Sequence, residues 1–204
     1  MTENAKQGPL PERRPTMRMF LGIPLAPRAS EALVHFTRGL SAAGGNLRWS
    51  RPESWHITLQ FLGQVDGEQY QCLLARLADV TASPVPVRIE GAGFLDRAGI
   101  FLARVTPTPE LLALVQRITV ATRHCGFAPE DRSYRPHITL ARAKGRGSQQ
   151  SLAPLRNALH GAKTPIPDAI ACSFLASEFL LYESCTGAEG ARYEVRARFP
   201  LSIS

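Results

Sequence analysis

Two periodicities alternate along the chain. Apolar residues at helical spacing form one stripe in Leu33, Val34, Phe36 and Leu40, a second in Tyr70, Leu73, Leu74 and Leu77, and a third in Leu111, Leu114, Val115 and Ile118. Each predicts an amphipathic helix with one buried face. A fourth helix is expected from Ser151 to Leu159. Between the helices lie short, β-branched apolar runs that read as strands: Arg18 to Leu25, Leu47 to Trp49, Trp55 to Leu62, Val87 to Phe94, Ile100 to Val105 and Pro136 to Ala141. Three more fall near Ala169 to Phe174, Glu178 to Ser184 and Tyr193 to Leu201. Ser30, Asp66 and the pair Thr108-Pro109 suit helix starts, and Gly44-Gly45, Gly126 and Gly161 suit helix ends. Gly63 is expected to end a strand, Asp96 to Gly99 to form a turn, and Gly187 and Gly190 to mark a hairpin. Residues 1 to about 15, carrying Pro9, Pro11 and Pro15, read as a mobile tail.

One tetrapeptide occurs twice: His56-Ile57-Thr58-Leu59 and His137-Ile138-Thr139-Leu140, with the histidines 81 residues apart. The same offset carries Phe20-Leu21 onto Phe101-Leu102, Leu33-Val34 onto Leu114-Val115, Gly45 onto Gly126 and Leu74 onto Leu155. Matches in one register over so much chain indicate a duplicated unit. A unit present only twice makes no solenoid. It predicts two lobes of like topology facing each other, in a single bilobal α+β domain over 16–204 with a first repeat near 17–95, a second near 98–180, and C-terminal strands to 204.

At 204 residues the chain can bury roughly 70% of its unfolded surface, enough for a core without staples. The four cysteines, Cys72, Cys125, Cys172 and Cys185, are far apart and form no CxxC pair. Reduced thiols are therefore expected rather than a disulfide framework or a thiolate zinc site, and a cytoplasmic setting with them. No apolar run reaches the length of a membrane span, and no signal-peptide h-region opens the chain. The net charge of +7 favours an anionic partner. Arg132, Arg135, Arg142, Lys144 and Arg146 gather around the second repeat of the motif. His35, His124 and His160 sit in or at the ends of predicted helices and read as structural.

On a strand, side chains two apart share a face, so each copy presents an imidazole and a hydroxyl together while Ile57, Leu59, Ile138 and Leu140 point into the core. A metal site would want further ligands, and no Asp, Glu or Cys lies at i+2 or i+4 of either histidine. Nucleophilic catalysis would need a hydroxyl aimed at its histidine, and same-face neighbours on a strand diverge. Displacement at phosphorus needs a proton acceptor on one side and a proton donor on the other, which two facing imidazoles can supply near neutral pH. The threonine hydroxyls would donate to non-bridging oxygens, and an arginine would take up developing charge.

The motif pair, with Leu47-Arg48-Trp49 and Phe61-Leu62-Gly63 about the first copy, Arg135-Pro136 and Ala141-Arg142 about the second, and Leu180-Leu181-Tyr182-Glu183-Ser184 and Tyr193 farther on, resembles the two-histidine phosphoesterase superfamily. Within it the chain resembles the RNA 2′,3′-cyclic phosphodiesterases, also called 2′-5′ RNA ligases. The resemblance implies two antiparallel sheets with helices on their outer faces and a central basic cleft. It also implies hydrolysis of a ribose 2′,3′-cyclic phosphate to a 2′-phosphate with no cofactor or metal, and ATP-independent 2′-5′ RNA joining by the same chemistry. By analogy His56 protonates the departing 3′-oxygen and His137 activates water, and the sequence leaves the two roles open. Thr58, Thr139 and Arg142 would hold the phosphate. Arg142 has the wrong parity for the cleft face in an unbroken strand, which predicts a bulge near Ala141. Phe61 is its counterpart in the first unit and either stacks a base or joins the core. Gln60 stands where the family often has lysine. The expected partner is an RNA or nucleotide end bearing a 2′,3′-cyclic phosphate, the expected state a monomer free of membranes. The alternatives are a non-catalytic RNA-binding module and a phosphodiesterase for another cyclic phosphate or a 2′-5′ oligoadenylate.

Overall fold

In the computed structural model the described residues are 16–41, 46–144, 148–160, 170–187 and 190–202. Proline and short polar side chains set the helix starts. Pro27, at the first position of α1 (Pro27–Leu40), replaces the expected Ser30 cap: its fixed φ suits a first turn that needs no N–H at that position. Asp66 and Gln69 form a reciprocal capping box on α2 (Gly67–Ala78). Thr108 accepts from the Leu111 N–H to open α3 (Pro109–Arg123), and Gly126, at φ 88°, turns the chain out beyond its end. The last helix, α4, spans Ser148–His160 and begins before the expected Ser151. The expected tail, Gly44-Gly45, Arg146 and its neighbouring glycines, Gly161 and Ala169 lie outside the described residues.

The strands are β1 (Met17–Pro24), β2 (Leu47–Trp49), β3 (His56–Val65), β4 (Val85–Leu95), β5 (Ile100–Val105), β6 (His137–Ala143), β7 (Cys172–Ala176), β8 (Glu178–Gly187) and β9 (Gly190–Pro200). They form two antiparallel sheets, in the orders β3-β1-β8-β9 and β2-β6-β5-β4-β7. The repeat and the sheets are not coextensive. β2 and β4, from the first half of the sequence, complete the sheet of the second motif, and the C-terminal β8 and β9 complete the sheet of the first. Gly63 does not end β3; it takes φ 74° within the strand, where Leu62 is an unpaired extra residue.

One continuous core runs under both sheets. It joins Ile57 and Leu59 of β3, Ile138 and Leu140 of β6, Leu33 of α1, Leu73 and Leu77 of α2, Leu111, Leu114 and Ile118 of α3, and Leu152, Leu155 and Leu159 of α4. A smaller cluster of Phe20, Leu180 and Tyr182 lies on the other face of the first sheet. The cysteine expectation is overturned for one pair: Cys72 of α2 and Cys125, just past α3, form a disulfide with Cα atoms 5.7 Å apart. Fifty-three residues separate them in sequence, and only the packing of α2 on α3 brings them together. The reasoning from reduced thiols to a reducing compartment therefore falls for this pair. Cys172 and Cys185 are free thiols.

Candidate active site

Matching bulges set which side chains reach the cleft. In the pairing of β1 with β3, Leu21 opposes Gln60 and Gly22 opposes Thr58, so Leu59 is extra. In the pairing of β5 with β6, Phe101 opposes Ala141 and Leu102 opposes Thr139, so Leu140 is extra. The two bulges occupy the same place in the repeat. Each puts two successive residues on the core side, Leu59 with Gln60 and Leu140 with Ala141, and so shifts the parity of the strand beyond it. Arg142 thus joins His137 and Thr139, and Phe61 joins His56 and Thr58, as the bulge predicted near Ala141 requires. Phe61 is 59% exposed, which removes its core role. Gln60 is buried and accepts from the Thr122 hydroxyl of α3 at 3.0 Å, so it makes no cleft contact.

Both imidazoles are oriented by the same local bond. His56 Nδ1 lies 2.8 Å from the Ser54 carbonyl and His137 Nδ1 lies 2.8 Å from the Arg135 carbonyl. A carbonyl only accepts, so each Nδ1 carries a proton and donates, and each Nε2 is left for the cleft. His56, Thr58, Phe61, His137, Thr139 and Arg142 line one cavity of about 440 Å³. The structure thus brings together every residue that the sequence placed in the site.

The two histidines differ in what surrounds them. Phe20 lies 4.6 Å from the His56 ring centroid, Tyr193 stands edge-on at 5.0 Å, and Tyr182 is at 5.6 Å. Behind the ring is Gly22, where an added Cβ would come within 3.0 Å of the Ile57 carbonyl and 3.4 Å of His56 Cδ2. This enclosure takes much of the ring out of water, leaving one edge on the cavity. Burial, with smaller contributions from the positive charge of His137 and Arg142 opposed by the Ser54 bond, pushes the His56 pKa down to about 4. Sequence reasoning missed the enclosure, because aromatics in strand-like runs read as ordinary core.

A further tie was not legible. Tyr134, in the loop before β6, donates its hydroxyl to the Thr58 carbonyl at 2.9 Å, and Glu130 accepts from the Phe61 N–H at 3.4 Å. β3 is the outer strand of its sheet, so these side chains satisfy edge groups that no strand covers. They also fasten the approach to the second motif onto the first. Burial raises the Tyr134 pKa far above the usual phenol value, which keeps the phenol protonated as a donor.

The family model for LigT-like phosphoesterases matches residues 23–101 and again 104–190, one motif in each segment. The chain belongs to the LigT-like phosphoesterase family. Its curated relatives include proteins named RNA 2′,3′-cyclic phosphodiesterase. That of Geobacillus stearothermophilus is 30% identical over 89% of this chain, which spans 56% of that protein's length. That of Escherichia coli K12 is 26% identical over 91% of this chain and 97% of its own. Among solved structures, E. coli LigT complexed with 3′-AMP superposes with a TM-score of 0.74 at 22% identity, covering 93% of this chain and 100% of that one. The likeness extends to the fold.

Among the described residues neither histidine of this LigT-like phosphoesterase belongs to a cluster of metal-ligating side chains. Among the described residues the one such group is Glu183, Cys185 and Glu194 on the β8–β9 hairpin. Arg196 engages both of its carboxylates, at 3.6 and 3.9 Å.

Proposed function

We propose that this chain hydrolyses RNA or nucleoside 2′,3′-cyclic phosphates to 2′-phosphates by metal-independent acid–base catalysis between His56 and His137. The observation that carries this reading is the pair of imidazoles, each held by the same Nδ1 bond and each lining one cavity with Arg142. The names of the curated relatives support the substrate class. Water attacks phosphorus and gives its proton to the neutral imidazole, while the phosphorus–3′-oxygen bond breaks and that oxygen takes a proton from the imidazolium. Thr58, Thr139 and Arg142 hold the non-bridging oxygens and the charge that develops on them.

The aromatic enclosure supports one assignment of the two roles. Lowering of the His56 pKa to about 4 by burial favours its neutral ring, which supports His56 as the base and leaves His137 as the acid, where the analogy suggested the opposite order. A 5′-hydroxyl entering in place of water would give 2′-5′ RNA joining without ATP by the same two proton transfers. Phe61 offers a face on which the terminal base stacks.

Hydrolysis of a nucleoside 2′,3′-cyclic phosphate in EDTA, followed by phosphorus NMR, tests the reading. A 2′-phosphate product is expected, with His56→Ala and His137→Ala each slower by roughly 10²- to 10⁴-fold. Binding without turnover would make the chain an RNA-binding module, and full activity in either variant would remove the two-histidine mechanism.

A further inference from the structure

Beside the catalytic cavity, and sharing Ser50, Ser54, Arg142 and Tyr193 with it, is a second cavity of about 450 Å³. Its floor contains an arrangement that costs the fold stability. Arg48 of β2 and Arg142 of β6 are directly opposite in register, so two guanidinium groups leave the same face of the sheet side by side. Like charges in cross-strand pairs repel. Among the described residues no carboxylate pairs with either of them. Arg51, Arg192, Glu53 and Glu194 also line this cavity. Glu53 and Glu194 form no ion pair with Arg48 or Arg142, so this arginine pair next to a phosphate site is a place for an anion from outside.

The covalent structure of the substrate says which anion. A strand that ends in a 2′,3′-cyclic phosphate has no further phosphate on its 3′ side, so the nearest second negative charge is the phosphodiester on the 5′ side of the terminal ribose. We propose that Arg48, together with Arg142, binds that phosphodiester, and that the cavity selects RNA strands over mononucleotides. This rests on the function proposed above and adds a subsite to it. Arg142 then touches both phosphates, and Arg48 serves the second one alone.

The test compares kcat/KM for a nucleoside 2′,3′-cyclic phosphate and for a dinucleotide ending in the same group, in the parent, in Arg48→Gln, and in Arg38→Gln as a charge-matched control on α1. The parent favours the dinucleotide. Arg48→Gln is expected to lower that preference about tenfold through the KM of the dinucleotide, as loss of one charge-assisted contact does, and Arg38→Gln retains the parent preference. An equal loss on both substrates would assign Arg48 to the reacting phosphate, and an unchanged preference would make the pair a solvated basic edge; either result overturns the subsite. Binding separates this inference from the catalytic reading. If the parent turns over neither substrate, fluorescence anisotropy of a labelled RNA trinucleotide 3′-phosphate, competed by a nucleoside 3′-phosphate, still reads the subsite. Arg48→Gln then weakens the trinucleotide selectively and makes its slope of log affinity against log salt shallower by about 0.7. Equal weakening of both ligands, or of neither, counts against it.

Discussion

His56 and His137 hold equivalent places in the repeat and unlike places in the cleft. Phe20, Tyr182 and Tyr193 crowd the first ring, and the second has no ring contact among the described residues. Opening that enclosure with Tyr193→Ala is expected to raise the acidic limb of the kcat/KM profile from near pH 4 toward the ordinary histidine value of 6.5, because water then supports the charged ring. A pH profile of cyclic phosphate hydrolysis reads this directly. The same ring links stability to pH. Its folded pKa lies below its unfolded one, so the unfolded chain binds the extra proton first, and stability falls as pH drops from 6.5 to about 4. The full loss is about 3 kcal/mol. Urea unfolding at the two ends of that window should show a steeper loss in the parent than in His56→Gln. At Gly22, substitution by valine should press on His56 and the Ile57 carbonyl, lowering kcat with far less effect on KM.

At the scale of elements, the bulges and the disulfide differ in how far the local pattern announces them. Strand alternation alone puts Arg142 on the wrong face, and the extra residue at Leu140 returns it to the cleft. The parity conflict was readable from the residues, so a bulge could be expected. Its twin at Leu59 is the repeat's own counterpart. The Cys72–Cys125 bridge had no such signal, since α2 and α3 become neighbours only when the sheets assemble. Closing a loop of 53 residues restricts the unfolded chain by about 4 kcal/mol in the chain-entropy account. The doubly substituted variant Cys72→Ala with Cys125→Ala should therefore unfold at a markedly lower urea midpoint than the oxidised parent. Reductant should lower the midpoint of the parent and leave that of the variant in place.

Across the whole molecule the duplication is interleaved. β2 and β4 belong to the sheet that carries His137, and β8 and β9 to the sheet that carries His56. A fragment ending at Leu95 would leave β1 without β8 and β4 without β5 and β7, with the backbone groups of those edges unpaired. Such a fragment is expected to stay unfolded or to aggregate, and to regain native-like circular dichroism only when mixed with the remainder of the chain. Independent folding of residues 1–95 would show that the sheets are less interdependent than their strand order indicates.

The motif pair, the 81-residue register and the run of strands and helices were already determined by the sequence, because periodicity and caps are local properties and a repeat is visible as identity at a fixed offset. The catalytic candidates were legible for the same reason: His and Thr recur in matched slots, and Phe61 and Arg142 occupy the next matched pair. Tertiary structure alone decided that Tyr134 would reach Thr58, that Tyr193 would close over His56, and that Arg48 would face Arg142. Each of these joins residues that are distant in sequence, and contact between such residues is settled by how the sheets pack, which no short window of sequence contains.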